Sequence, residues 1–336
     1  MNQLVTAYVT GVPQFIYANG IPECTIKKVV FVQLVPDEAR LGIRPFEQSQ
    51  LLMKNICESL NISLDIVVWD RISELENTIQ FGDILDCQIL FRFKNKKQNS
   101  KFRILAAQHE YVNFNRPPAY KIFSQSMKKR IDLVRKVVIP NRLFDYYSLS
   151  PVSKRGILKE RVLDQDKIKK VRDEIFTKLK NSNKYPLLET LQRRSLEKNV
   201  CFVLPYPAYG EGEFLNQGLF SIVENELQKS NVDLVIIKNH PSDETNYSDL
   251  LPKSFTSDNT ILFFENKSRT LPLEILVQAT KSYQLIGAES TVFMTLSNFV
   301  SSPTIIIDSN QQTKVKFQKY RTGETRSVYK NIVINV

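Results

Sequence analysis

The chain has 336 residues, too many for one typical domain and enough for two domains that each bury a core. Its 42% hydrophobic and 24% charged residues are ordinary for a soluble globular protein, and no stretch resembles a signal peptide or a membrane-spanning helix. A net charge of +11 favours an anionic partner, whereas four widely spaced cysteines argue against a zinc site or a disulfide framework and are typical of a reducing cytoplasm.

The first 150 residues alternate between strand and helix patterns. Helical spacing of apolar residues predicts a helix at 47–60. Short apolar runs predict strands at 4–9, 28–34, 64–69, 87–91, 102–107 and 135–139. Because strands that alternate with helices favour a parallel sheet covered on both faces, we predict an N-terminal Rossmann-like lobe over residues 1–150.

Charged residues dominate the next segment, residues 151–197. Within it, residues 154–180 hold ten basic and five acidic residues around an apolar stripe at helical spacing. This pattern predicts an amphipathic helical linker between two lobes.

The alternation of strands and helices resumes over residues 198–336. Strands are predicted at 200–206, 232–238, 260–265, 283–288 and 303–308, and helices at 215–228, 271–280 and 290–299. The pattern indicates a second Rossmann-like lobe. In such sheets ligands bind outside the carboxyl ends of the strands, so binding residues are expected in the segments that follow them.

One of the chain's two histidines follows a predicted strand directly. The strand at 232–238 ends in Lys238, and Asn239, His240 and Pro241 come next. Proline fixes φ and has no amide donor, so it stops the strand. An imidazole at this edge can donate an N–H to a phosphate oxygen, and the lysine can add charge. The alternative is a turn histidine bonded to backbone carbonyls.

A second anion site is predicted where Ser290 and Thr291 follow the strand at 283–288. Ser290 can cap the helix that begins there, and the free amides of a helix start attract anions. A simple helix cap is the alternative. Together with His240, these hydroxyls predict a clamp for a nucleotide phosphate. The chain contains neither GxGxxG nor GxxxxGKS, which disfavours a dinucleotide enzyme and a P-loop NTPase.

Three short motifs occur in the order found in a known family. KNHP at 238–241, LPLEI at 271–275 and GAEST at 287–291 resemble the HP and Ser-Ser/Thr motifs of bacterial sialyltransferases, above all lipooligosaccharide sialyltransferases and polysialyltransferases. The resemblance implies an α/β fold of the GT-B type, with two Rossmann-like lobes and a cleft between them. It also implies inverting transfer from CMP-sialic acid. GVPQFIYANGI at 11–21 is similar to the family's loop after the first strand and places Gln14 on the acceptor side.

The resemblance also assigns donor-binding roles. His240 and Lys238, with Pro241 in the HP motif, would contact the CMP phosphate, and Ser290 and Thr291 would share that contact. His240 would be catalytic as well, because charge grows on the departing phosphate. A further residue, Glu274, would accept hydrogen bonds from the ribose hydroxyls; the alternative is an acid that stabilises the first helical turn.

Inverting transfer also needs a general base for the acceptor hydroxyl. In the family this base is an acid of the N-terminal lobe. Glu110 occupies the corresponding place, with His109 either tuning it or acting itself, although the family's glycine is missing here. The alternative base is Glu211 in YGEGEF (209–214), whose Gly210 and Gly212 predict a flexible loop that approaches the donor.

No acidic cluster suggests a metal site, so we predict metal-independent chemistry and no cofactor beyond the CMP-sugar donor. The pairs Asp243-Glu244 and Asp83/Asp86 are interpreted as solvated turn residues. The expected partners are a CMP-activated sugar and a glycan acceptor of the bacterial surface, in a capsule or a lipooligosaccharide. Cytoplasmic location is expected, and the basic segment 127–136 suggests peripheral contact with the anionic inner face of the cell membrane.

Two other classes of function remain open. A GT-B transferase that uses CMP-Kdo or another activated donor would need the same lobes and the same phosphate clamp. A nucleic-acid-binding protein would also explain the basic charge. The second class is disfavoured, and no nucleic acid is expected as a partner, because such surfaces interleave aromatic residues with Lys and Arg. The charged segment 154–180 has only Phe176 in an otherwise aliphatic stripe.

Overall fold

The computed structural model describes residues 3–9, 11–34, 46–69, 84–86, 102–105, 144–148, 160–206, 212–229, 232–241, 243–263, 265–288, 292, 296, 304–308 and 329–333. The chain forms two compact units. The first unit consists of residues 1–35 and 61–171, and the second of residues 36–60 and 172–336.

The described strands of the first unit form one parallel sheet. In chain order they are β1 (Gln3–Val9), β2 (Cys24–Leu34), β3 (Ser63–Trp69), β4 (Ile84–Asp86), β5 (Phe102–Leu105), β6 (Phe144–Ser148) and β7 (Glu160–Val162). Their spatial order is β3-β2-β1-β4-β5-β6-β7, and every adjacent pair is parallel. The chain therefore winds outward from β1, first to one side and then to the other, as in a doubly wound fold.

The second unit repeats this topology. Its described strands are β8 (Val200–Leu204), β9 (Leu234–Lys238), β10 (Thr260–Phe263), β11 (Tyr283–Ala288), β12 (Thr304–Asp308) and β13 (Tyr329–Val333). They are parallel in the order β10-β9-β8-β11-β12-β13, so the direction of winding reverses between β8 and β11. The two parallel sheets confirm the predicted α/β class with two Rossmann-like units.

Helices accompany both sheets. They are α1 (Val12–Ala18), α2 (Phe46–Ser59), α3 (Gln165–Asn181), α4 (Pro186–Ser195), α5 (Gly212–Lys229), α6 (Asn266–Arg269) and α7 (Leu273–Leu276). Although α2 comes early in the chain, it belongs to the second unit, where Asn55 accepts a hydrogen bond from Lys184 Nζ at 2.7 Å and donates one to the Tyr185 hydroxyl at 3.1 Å. In the part of the chain that the structure describes, every helix is too short or too polar to span a bilayer.

The observed secondary structure of the charged segment 154–180 differs from the single helix that the sequence predicts. A strand, β7, occupies Glu160–Val162, and the helix starts only at Gln165. Asp164 sets this start, because its Oδ1 accepts hydrogen bonds from the backbone N–H groups of Asp166 (3.0 Å) and Lys167 (3.1 Å), which have no partner inside the helix.

Some of the other predicted elements differ in extent from the observed ones, and some fall outside the described residues. The helix predicted at 271–280 consists of α7 and a separate short 3₁₀ turn at Val277–Ala279. Strand β6 was not predicted. The strands predicted at 87–91 and 135–139 lie outside the described residues, as does most of the helix predicted at 290–299.

The core of the second unit holds its central strands in place. Every residue of β8 and β9 is buried. On one face α5 contributes Leu219, Phe220 and Val223, which are at most 1% exposed. Because burial of one such side chain stabilises a fold by roughly 1.5–3 kcal/mol, this packing keeps the carboxyl ends of the strands in fixed positions.

Gly287 lies where β8 and β11 pair near their carboxyl ends. It is the register partner of Leu204, and a Cβ at Gly287 would lie 2.8 Å from Leu204 N, 2.6 Å from Leu204 Cβ and closer still to the carbonyl oxygen. Such distances leave no room for a side chain, so only glycine fits between these two backbones.

We therefore expect Gly287→Ala to lower the free energy of unfolding by about 1–3 kcal/mol, measured by urea denaturation, because the strands must move apart. Gly11→Ala is the matched control. A Cβ at Gly11 would meet Gln14 Oε1 at 2.8 Å, and this atom ends a flexible side chain that can turn away. Equal effects of the two substitutions would contradict the close approach of β8 and β11.

Candidate active site

The carboxyl ends of β9, β8 and β11 lie side by side in the second unit. Strand β8 is hydrogen-bonded to β9 on one side and to β11 on the other. In open α/β sheets ligands bind beyond the carboxyl ends of the strands, at the point where the winding reverses, which is between β8 and β11 here. Of the predicted donor-binding residues, Lys238 ends β9 and Glu274 lies on α7, and the others follow one of these three strands in the chain.

The turn after β9 exposes His240 while its anchoring residues are buried. Asn239 is 2% exposed, whereas His240 and Pro241 are both exposed. The backbone N–H of Asp243 donates to the carbonyl oxygen of His240 at 2.9 Å, which closes a turn with proline at its second position. Asn239 Nδ2 donates to the carbonyl oxygens of Asp243 (3.3 Å) and Thr245 (2.7 Å). An imidazole is thus presented to solvent on a fixed backbone.

The sequence predicts that Lys238 contacts the donor phosphate, whereas in the structure its amine binds backbone carbonyl oxygens. Its side chain is buried, and Nζ donates to the carbonyl oxygens of Asn239 and Arg269, both at 2.6 Å. Burial, then the charge of Arg269, lowers the pKa of Lys238 to about 7, against smaller opposing effects of Glu274 and Asp243. A neutral amine has two N–H groups, which is the number these two carbonyls require. Binding of phosphate by Lys238 stays a prediction.

The lowered pKa of Lys238 predicts a pH-dependent stability. The pKa is about 7 in the folded chain and 10.5 ordinarily, so between these values the unfolded chain binds a proton that the folded chain does not. This contribution is present in full above pH 10.5, and it is lost progressively as the pH falls from 10.5 to about 7, where the folded chain takes up the same proton. Its slope is at most about 1.4 kcal/mol per pH unit.

We expect Lys238→Met to remove this rise in stability, as measured by urea unfolding at pH 7 and pH 9. Lys253→Met, at an exposed lysine, is the control and should keep the wild-type slope. A wild-type slope in Lys238→Met would show that Lys238 is not the group that titrates.

Asp243 corrects an expectation from the sequence. The pair Asp243-Glu244 was expected to be solvated, but Asp243 is 4% exposed, and its Oδ2 accepts a short hydrogen bond from the Tyr247 hydroxyl. The same hydroxyl lies 2.8 Å from the carbonyl oxygen of Tyr206, to which Asn216 Nδ2 also donates at 2.9 Å. Burial, and next the hydrogen bond to Asp243, raises the pKa of Tyr247, so its hydroxyl keeps the proton that it donates.

Tyr247 and Asn216 were not predicted as site residues. Neither lies in a motif. Each is recognised only by its hydrogen bonds in the folded chain, to Tyr206 for both residues and also to Asp243 for Tyr247. The one sequence signal for a fixed turn here was Asn239, a residue type that favours turns, immediately before the histidine-proline step.

Charged side chains lie beneath the surface near this turn. Arg269 is 2% exposed, and its Nη2 donates to Glu244 Oε1 at 2.8 Å, while Glu244 itself is largely exposed. Glu274 lies in the first turn of α7, is 2% exposed, and its charge opposes the lowering of the pKa of Lys238. Its contact with a ribose stays a prediction. Among the described residues, no three His, Cys, Asp or Glu side chains converge as metal ligands.

The structure describes only some of the other predicted site residues. Gly212 is the first residue of α5, and Gln14 lies on α1, where its Oε1 is buried without a hydrogen-bond partner among the described residues. The remaining predicted residues lie outside the described ranges: His109, Glu110, Gly210, Glu211, Ser290 and Thr291. Ser290 comes two residues after the end of β11, Glu110 five residues after the end of β5.

The fold and the position of this site define an α/β protein of the GT-B type. The chain is similar to the GT-B domain of a sialyltransferase from Photobacterium damselae, with a TM-score of 0.52 and 12% identity over 98% of this chain and 100% of that one. A 2,6-sialyltransferase of a Photobacterium species of the Vibrionaceae, solved with the donor product CMP and the acceptor substrate lactose, gives a TM-score of 0.47 and 11% identity over 98% of this chain and 78% of that one. The chain matches no protein-family model, and no curated protein is significantly similar to it in sequence. The first similarity confirms the predicted GT-B fold.

Proposed function

We propose that the chain is an inverting glycosyltransferase that moves sialic acid, or a related nonulosonate, from a CMP-activated donor to a bacterial surface glycan of a capsule or a lipooligosaccharide. The observation that carries the proposal is the exposed His240 at the carboxyl end of β9, beside the reversal point of a doubly wound sheet. The similarity in fold to a sialyltransferase supports the same activity.

The chemistry of the donor explains why such a histidine is needed. The bond from the anomeric carbon to the CMP phosphate breaks through an oxocarbenium-like transition state, and negative charge grows on the phosphate. A fixed N–H donor at the phosphate stabilises that charge more in the transition state than in the bound substrate. We assign this role to His240, with Ser290 and Thr291 as further donors.

The other site residues complete the reaction. The acceptor hydroxyl loses its proton to a general base, which we assign to Glu110 with His109 beside it, or in the alternative to Glu211. We assign Glu274 to the ribose, Gly210 and Gly212, the first residue of α5, to the donor side, and Gln14 to the acceptor. Association of the basic segment 127–136, which lies outside the described residues, with the inner face of the cell membrane is a separate proposal, tested by sedimentation with anionic liposomes.

A donor screen tests the proposed function. The protein is incubated with activated sugars that carry CMP, UDP or GDP, and the free nucleotide is measured. We expect release of CMP from CMP-sialic acid or another CMP-nonulosonate. Release of CMP from CMP-Kdo alone would keep the phosphate site but change the sugar. Release of UDP or GDP alone would contradict the proposal.

A further inference from the structure

Asp243 and Tyr247 join the turn that carries His240 to the segment that follows β8. We infer that they are positioning residues, which hold the His240 imidazole where the donor phosphate binds; the inference rests on the proposed function. Neither residue is exposed: Asp243 is 4% exposed and Tyr247 is 1% exposed. They act on the ligand only through the turn.

The Asp243 carboxylate fixes the turn from inside. Its Oδ1 accepts from the backbone N–H of Thr245 at 3.1 Å, and its Oδ2 accepts from the Tyr247 hydroxyl. Its own backbone N–H donates to the carbonyl oxygen of His240 at 2.9 Å. Asp243 therefore ties His240, the first residue of the turn, to Thr245 and Tyr247, which follow the turn. Loss of the carboxylate removes two of these three hydrogen bonds.

Tyr247 fixes the same turn to the neighbouring strand. Its ring makes an edge contact with Phe220 of α5, with ring centroids 5.8 Å apart. Its hydroxyl lies between Asp243 and the carbonyl oxygen of Tyr206, two residues beyond the end of β8. Asn216 holds Tyr206 from α5 by accepting from its backbone N–H at 2.8 Å and donating to its carbonyl oxygen at 2.9 Å. The turn after β9 and Tyr206, which follows β8, are thus both held by α5.

Hydrogen bonding, rather than the negative charge of Asp243, performs this positioning. An asparagine at 243 keeps an oxygen for the Thr245 N–H, and its Nδ2 donates to the Tyr247 oxygen while that hydroxyl donates to Tyr206. Asp243→Asn should therefore preserve the turn, whereas Asp243→Ala leaves the Thr245 N–H without its acceptor. If Asp243 instead acted on the ligand through its negative charge, Asp243→Asn and Asp243→Ala would change CMP binding equally, because both remove that charge.

A double-mutant cycle on CMP affinity tests the inference. Calorimetry gives the Kd of CMP for the wild type, Asp243→Ala, His240→Ala and the double variant. We expect each single substitution to weaken CMP binding by about tenfold, because each loses or misplaces a hydrogen bond to a charged phosphate. In the His240→Ala background, Asp243→Ala should weaken binding less than about twofold, since residues in one network are not additive.

Two further variants complete the cycle. Tyr247→Phe keeps the ring and removes only the hydroxyl, so it replaces Asp243→Ala if that variant does not fold; it should show the same non-additivity. Asp243→Asn should bind CMP within about twofold of the wild type. A full effect of Asp243→Ala or Tyr247→Phe in the His240→Ala background would overturn the positioning role, as would an Asp243→Asn variant as weak as Asp243→Ala.

The outcomes separate this inference from the proposed function. If His240→Ala weakens CMP binding but the effects of the two sites add, the inference fails and the function stands. If the wild type does not bind CMP, or if His240→Ala binds it as the wild type does, the phosphate role of His240 fails and the inference fails with it.

Discussion

His240→Ala is expected to lower the turnover of CMP-sugar transfer by about 10²–10³-fold or more, the loss that follows removal of one fixed donor from a developing oxyanion. The variant should keep the wild-type unfolding temperature, because the His240 side chain is exposed and the turn is held by Asn239 and Asp243 instead. Turnover is measured by the release of free CMP and unfolding by circular dichroism.

The control for this prediction is Asp258→Ala. Asp258 is an exposed residue just before β10. It therefore lies at the amino-terminal end of the parallel strands, whereas His240 follows their carboxyl end. It should keep wild-type turnover. Full activity of His240→Ala would remove the histidine from the reaction, and loss of activity in both variants would show a general effect of substitution.

Glu110→Gln is expected to lower turnover by about 10²–10⁴-fold, the contribution of a general base, and to leave the Kd of CMP within about twofold of the wild type. The amide keeps the size of the carboxylate but cannot take a proton from the acceptor hydroxyl. Steady-state kinetics and calorimetry measure the two quantities. Glu189→Gln, at an exposed glutamate on α4, is the matched control.

Glu211→Gln distinguishes the two candidate bases. If it lowers turnover while Glu110→Gln does not, the base follows β8 in the second unit. If both lower turnover but only Glu211→Gln weakens CMP binding, Glu110 is the base and Glu211 belongs to the donor site.

The sheets could be predicted because buried parallel strands leave a plain signal in the sequence. Strands β8 and β9 are buried along their whole length, so they are almost continuous apolar runs, and their limits agree with the predicted ones within two residues. Strand β6, with the sequence FDYYS, lacks such a run and was missed. The order of the strands was not predictable, since pairing depends on contacts between residues far apart in the chain.

Part of the site could be predicted for a similar reason. A histidine-proline step after an apolar run shows that a chain turns at a sheet edge, and His240 does lie exposed there. The burial of Lys238 and Asp243 could not be predicted. Both are ionisable residue types, which are rarely buried unless paired. Their partners are backbone carbonyls and a tyrosine hydroxyl, which only the folded turn brings to them.

The contact between His240 and the donor phosphate can be measured directly by NMR of histidine side chains. The chain has two histidines, so a sample labelled only in histidine gives two sets of signals, and His109→Gln assigns them. We predict that CMP at saturating concentration shifts the His240 signals, while cytidine, which lacks the phosphate, leaves them nearly unchanged. His240 signals that stay in place when CMP is bound, or that cytidine shifts equally, would contradict the account.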